Sequence, residues 1–218
     1  VKFIAPLLCA ALLSACVGTH RLSDPTLIIR TEKGSELGVS TEHGIVFLGR
    51  TARAGRAEIT AWFGDGENIE SVVIEPVSAE LCTAETEIRL PTAPMSFEEP
   101  KPGSRVWIVG RTELGRWESE VEVLADPRAK GILTTIPPEL RGRADQVGAG
   151  VFVDAPPLSD GTEQRQLVGL VSGVVTFTGA EGTREYLAVL GPRELWRLVS
   201  LRRENIKKRR WIYRDDIL

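Results

Sequence analysis

The chain has 218 residues, of which 42% are apolar and 26% charged, with a net charge of −3. That is enough for one domain of ordinary size or two small barrels sharing an interface, and nothing in the balance marks a nucleic-acid partner. Two histidines and three cysteines are too few for a credible zinc set of converging ligands, so no metal or other cofactor is expected.

From the amino-terminal end, Lys2 precedes an apolar run, Phe3 to Leu13, that closes on Leu13-Ser14-Ala15-Cys16. A short positive start, an apolar stretch and small residues form the layout of a secretory signal peptide, and the run is about half the ~20 residues a membrane span needs. Leu13-Ser14-Ala15-Cys16 resembles a bacterial lipobox. The resemblance implies removal of residues 1–15, diacylglycerol on the Cys16 thiol, acylation of the new amino terminus and a tether over 16–25. Val17 stands where aspartate signals inner-membrane retention in enterobacterial lipoproteins, which implies the outer membrane, facing the periplasm. With Cys9 cleaved off and Cys16 carrying lipid, Cys82 has no partner, so no intrachain disulfide is expected and Cys82 reads as a small buried apolar residue.

Between Thr26 and Val189 short β-type runs alternate with turn residues, and no amphipathic helix intervenes. Strands are predicted at Thr26–Arg30, Gly44–Leu48, Glu58–Phe63, Ser71–Ile74, Glu87–Leu90, Arg105–Val109, Trp117–Leu124, Gly131–Thr135, Gly150–Val153, Leu167–Phe177 and Tyr186–Leu190. Turns are predicted at Lys33-Gly34, His43-Gly44, Gly64-Asp65-Gly66, Pro102-Gly103 and Asp160-Gly161. Pro91 to Pro102 reads as an extended connector between two β halves, and the fold class is all-β, a sandwich or closed barrels. A single helix follows Gly191: Pro192 suits its first position, Glu194 its positive end, and Leu195, Leu198, Val199, Arg202 and Ile206 share one side. Residues 193–218 hold nine Lys and Arg against four Asp and Glu, leaving +5 there and −8 elsewhere, so this tail is a candidate for an anionic surface. The five tryptophans, at 62, 107, 117, 196 and 211, are expected in the core and interfaces.

Gly34–Val39 is followed by His43–Leu48, then Pro102–Gly110, then Gly148–Asp154 and Gln166–Gly173, with the final helix at Pro192. Taken in this order, over residues 26–200, these stretches resemble the trypsin-like (chymotrypsin-fold) serine proteases of bacteria. The resemblance implies two packed antiparallel barrels over 26–190, with a carboxy-terminal helix and basic tail over 191–218. It does not carry the chemistry across. The family has Leu-Thr-Ala-Ala-His after its second strand, and here Leu48-Gly49-Arg50-Thr51-Ala52 puts Ala52 in the place of the base. A methyl group accepts no proton. The family's Gly-Asn-Ser-Gly-Gly-Pro corresponds to Asp145-Gln146-Val147-Gly148-Ala149-Gly150, so Val147 replaces the nucleophile, while Gly148 is kept as a backbone donor of the oxyanion type. The acidic position falls at Glu80, or at Ala84 or Glu85 in another register.

These substitutions point to a lipid-anchored, catalytically degenerate domain that binds an extended peptide or an envelope protein. Two alternatives stand beside it: an active peptidase with a non-standard triad built on His43, and a structural β-rich envelope lipoprotein. Making His43 the base would turn Gly44–Leu48 into a loop. Ser104 and Ser172 read as turn and strand-edge hydroxyls, and Gly64-Asp65-Gly66-Glu67 lacks the alternating carboxylates of a calcium loop.

Overall fold

The computed structural model describes residues 24–63, 66–125, 131–142, 146–159, 161, 163–179 and 182–215. The signal segment, Cys16 and the tether as far as residue 23 lie outside the described residues, as do Gly64-Asp65, Asp145 and Asp160. Strands β1 (Thr26–Thr31), β2 (Gly34–Thr41), β3 (Gly44–Phe47), β4 (Gly55–Phe63), β5 (Gly66–Pro76) and β6 (Cys82–Ala84) close an antiparallel barrel in the order β1-β2-β3-β6-β5-β4. Strands β7 (Arg105–Thr112), β8 (Gly115–Leu124), β9 (Ile132–Thr134), β10 (Gly150–Ala155), β11 (Gln164–Gly179) and β12 (Gly182–Leu190) close a second in the order β10-β11-β12-β9-β8-β7. The second ring repeats the first with every strand number advanced by six, although the sequence shows no repeat. Helix α1 (Pro192–Asp215) follows. The all-β, two-barrel architecture is therefore the one expected.

Strand alternation explains how each barrel fills. In β8, Ser119, Val121 and Val123 point inward while Glu118, Glu120 and Glu122 face water, the period of two that a half-buried strand requires. In β11, Leu167 to Leu170 are buried without alternation, because that stretch has protein on both faces. Barrel one encloses a cluster of Leu27, Ile29, Ile45, Phe47, Ile59 and their neighbours, and barrel two one built on Val106, Ile108, Val121, Val151 and Leu187. A third cluster is the seam. It joins Val39, Val46, Leu48 and Leu81 of the first half to Val109, Phe152, Leu167 and Leu170 of the second, with Leu195, Leu198 and Val199 of α1 closing it. The proline-rich connector laces the seam: Ala93 N donates to Ser40 O at 2.8 Å, and Ser96 N to Leu167 O at 2.9 Å. Polar contacts between the halves, Arg30 to Glu113 at 2.8 Å and Arg111 stacked 4.4 Å over Trp62, are partly exposed and contribute less than this hydrocarbon.

Two expectations need correction. Glu87–Leu90 is not a strand. The Glu70 carboxylate takes the backbone N–H of Glu87 at 3.0 Å and of Ile88 at 3.5 Å, together with the Thr86 hydroxyl, so this segment's donors go to a side chain instead of a ladder. The sixth strand of the barrel is the short Cys82–Ala84, tied to β3 and β5. Trp196 also departs from a core role and is 44% exposed, whereas Trp62, Trp107 and Trp117 are partly buried against the clusters.

Candidate functional site

Three loops and one strand bulge meet at the seam where the resemblance places a catalytic centre. The loop after β3 is fixed from below by Glu36, whose carboxylate accepts Arg50 N at 3.2 Å, Thr51 N at 3.0 Å and Thr51 Oγ1 at 2.7 Å. Gly49 at φ +65° lies so close to Cys82 Sγ that a Cβ has no room there. Arg53 donates to the carbonyls of Leu48 and Ser78. So held, the loop turns Ala52 onto the core of barrel one and leaves Arg50 exposed, its Nη2 donating to the carbonyl of Ser172 in barrel two. The side chain that crosses toward the second barrel from the base loop is thus a guanidinium, which offers hydrogen-bond donors and no acceptor.

Ser78 closes the second loop, between β5 and β6. Its Oγ accepts the N–H groups of Glu80 and Leu81 at 3.2 Å each, while Val77 N and Ser78 N donate to Leu81 O. That turn puts Glu80 on the surface and Leu81, fully buried, into the seam cluster. Of the other acidic candidates, Ala84 is buried in barrel one and Glu85 pairs with Arg202 of α1. The residue that reaches the seam from this loop, Leu81, is one the sequence reading did not single out.

The third loop precedes β10. Gly148, at φ +87°, lies against β2 of the first barrel: a Cβ there would sit 2.8 Å from Leu37 O and 3.3 Å from Leu37 Cβ. Its N–H donates to Val171 O at 2.8 Å, and Val171 N returns a bond to Ala149 O at 2.9 Å. The expectation of Gly148 as an oxyanion donor is corrected on this ground, because its amide is committed to the β11 ladder. Val147 is half-buried against the seam cluster.

At Ser172 the β11–β12 register slips between Val171 and Gly173. The bulge sends Ser172 Oγ to Ala188 O at 3.0 Å and its carbonyl to Arg50. Pairing of β11 with β10 ends at Leu170, so from Gly173 to Gly179 β11 is laddered on the β12 side, with Val174 45% exposed.

His43 is held elsewhere, in the β2–β3 turn. Its Nε2 is 3.5 Å from Glu42 Oε1, its N–H donates to Thr41 Oγ1, and its carbonyl accepts from Arg202 Nε at 3.0 Å. Gly44–Phe47 is strand β3, so the chain does not adopt the register that would make His43 the base. Ser104 donates to Lys101 O at 2.6 Å in a turn. Cys82 is a free thiol, fully buried, and burial raises its pKa, with Glu36 adding to the rise and Arg53 opposing it.

No family model and no curated protein matches the sequence. Among solved structures, kallikrein-related peptidase 10 is similar with a TM-score of 0.57 at 14% identity, over 83% of this chain and 96% of that one. The same peptidase in complex with Zn2+ gives 0.52 at 12% identity, over 77% and 90% of the two chains. A human pathogenic astrovirus serine protease gives 0.51 at 12% identity, over 78% and 91%. With two closed barrels wound in one strand order and an α-helix after the second, the chain has the fold of the trypsin-like serine proteases.

Proposed function

We propose that the chain is a catalytically inactive trypsin-like module, lipid-anchored through Cys16 in the bacterial envelope, that binds an extended segment of another envelope protein. The observation that carries the reading is the loop Leu48–Arg53: its Ala52 packs onto the core of barrel one, and Arg50 reaches the Ser172 carbonyl. Hydrocarbon at Ala52, Val147 and Leu81 offers neither a proton acceptor nor a lone pair for acyl attack. What remains usable is the side of β11 away from β12, from Gly173 onward, to which an extended peptide adds as a strand through its main chain. The lipobox resemblance and Val17 support attachment at the outer membrane, on its periplasmic side.

The test uses the chain carrying Cys16→Ala, a serine-directed fluorophosphonate and generic peptide thioesters. No labelling and no turnover above the heat-denatured control are expected. Labelling that disappears on replacing one serine, or turnover that disappears with His43→Ala, refutes the reading. The anchor is tested apart, by incorporation of labelled fatty acid into the wild-type chain and its loss on Cys16→Ala.

A further inference from the structure

The outward face of α1 belongs to no site described so far. Leu195, Leu198 and Val199 bury one side of the helix in the seam, which turns Trp196 outward. Phe97, from the connector, meets it edge-on with ring centroids 5.0 Å apart, and these two large rings are 39% and 44% exposed. The Arg203 guanidinium sits 5.4 Å from the Trp196 ring centroid. At 100° per residue, positions Arg203, Lys207, Arg210 and Arg214 fall within about 40° of Trp196 around the helix axis. The acids of the helix, Glu194, Glu204 and Asp215, fall about 80° or more away. In the helical period the surface aromatic pair is therefore followed by basic positions, with no acidic position among them.

We infer that this face of α1 docks on an anionic lipid headgroup layer. An acidic protein would match the bases alone, whereas bases in line with exposed rings match a bilayer interface, where aromatic bodies sit among headgroups and cations meet lipid phosphates. No helix among the described residues is long and apolar enough to cross a membrane, so α1 meets the surface side-on. The tether geometry agrees, and this step rests on the lipid-anchor reading above. Pro25 O accepts from Ser40 N at 2.8 Å, and His43 O accepts from Arg202 at 3.0 Å, so the tether exit and α1 flank the same hairpin. Ser40 and His43 are at most about 11 Å apart along the chain, and from Cys16 to Asp24 the tether spans at most about 29 Å. A lipid on Cys16 holds α1 within reach of the membrane.

The experiment uses the chain from residue 16 onward with Cys16→Ala, so that binding comes neither from acyl chains nor from the apolar signal segment, and sedimentation with vesicles of phosphatidylcholine alone or mixed with phosphatidylglycerol. Binding to the anionic vesicles that falls with salt is expected, since each base near such a surface is worth about fivefold. Arg203→Gln with Lys207→Gln is expected to weaken it about 25-fold. Trp196→Phe is expected to remove the component of tryptophan quenching caused by brominated acyl chains, with the circular dichroism spectrum unchanged. Equal binding to both vesicle types, or quenching unaffected by Trp196→Phe, overturns the inference. So does double-stranded DNA bound as tightly as the anionic vesicles with Trp196→Ala indifferent to both. If Cys16 incorporates fatty acid while the Cys16→Ala chain ignores anionic vesicles, the docking inference fails and the anchor stands.

Discussion

Replacing Gly148 with alanine tests whether the loop before β10 is seated on the first barrel. Two costs add. An L-residue at φ +87° is strained by about 1–2 kcal/mol, and a Cβ placed 2.8 Å from Leu37 O forces a shift of a well-packed strand, worth about 1–3 kcal/mol. Together these are roughly 2–5 kcal/mol, on the order of 10 °C in Tm for a fold of this size. Gly103→Ala is the control: its φ is +82°, but nothing lies within 4 Å of its missing Cβ, so it carries the backbone strain alone. Differential scanning calorimetry of both variants, with urea midpoints at unchanged m, isolates the contact with Leu37 as the difference between them. Equal destabilisation by the two variants refutes the placement of Gly148 against β2, and with it the joining of the two barrels through this loop.

Other outcomes follow from single groups. Arg202→Met strips the His43 carbonyl of its donor and Glu85 of its ion pair, and a loss of about 1–3 kcal/mol is expected in urea unfolding, with faster amide exchange in the β2–β3 turn. Burial raises the Cys82 pKa and covers the sulfur, so in the Cys16→Ala chain without its signal segment a thiol reagent is expected to modify Cys82 only in denaturant; modification within the mixing time of the native protein contradicts this. Burial pushes the Glu70 carboxyl upward, but hydrogen bonds from Thr86, Glu87 and Ile88 outweigh it and hold its pKa below the ordinary 4.5. A carboxyl depressed in the folded state stabilises above its unfolded pKa and loses that contribution as pH falls through the folded one. The stability gap between wild type and Glu70→Gln is therefore expected to be full near neutrality and to close below pH 4.5; a gap that widens with acid contradicts the hydrogen-bonded carboxylate.

The β-rich architecture was legible because alternation, turn glycines and the connector prolines act locally. Pro102-Gly103 and His43-Gly44 turn where the residues require it, with φ of +82° and +114°. What local pattern could not show was the competition for backbone donors. Glu87–Leu90 has strand composition, yet a carboxylate from β5, seventeen residues before Glu87, claims its amides, and three unremarkable residues, Cys82–Ala84, take the barrel position. The site divided in the same way. Ala52 and Val147 were singled out by comparing short motifs. Leu81 was missed because motif counting favours the neighbouring carboxylate of Glu80, and only the Ser78 turn decides which of the two faces the seam. Arg50 carried a visible signal, a charged residue in a run where the trypsin-like family has small ones, but its partner lies 122 residues away on a bulge that no sequence pattern announces.

The seam and the open side of β11 separate stability from binding. Leu81 and Val147 belong to a hydrocarbon layer shared with Leu48 of the loop after β3, Leu167 of β11 and Leu195 of α1, and a fully buried leucine stabilises by roughly 1.5–3 kcal/mol. A hydrated catalytic centre at the same place would hold polar groups that contribute little to cohesion, the conflict between function and stability met at many active sites. With hydrocarbon there, the two barrels adhere through the region a protease keeps open. From Gly173 onward β11 lies past the last residue paired with β10, and its exposed Val174 is not among the seam residues. Changes in the seam therefore act on folding, changes along this edge would, on the function proposed above, act on a bound strand, and Arg50, which donates to the Ser172 carbonyl just before that edge, is the position where the two effects would meet.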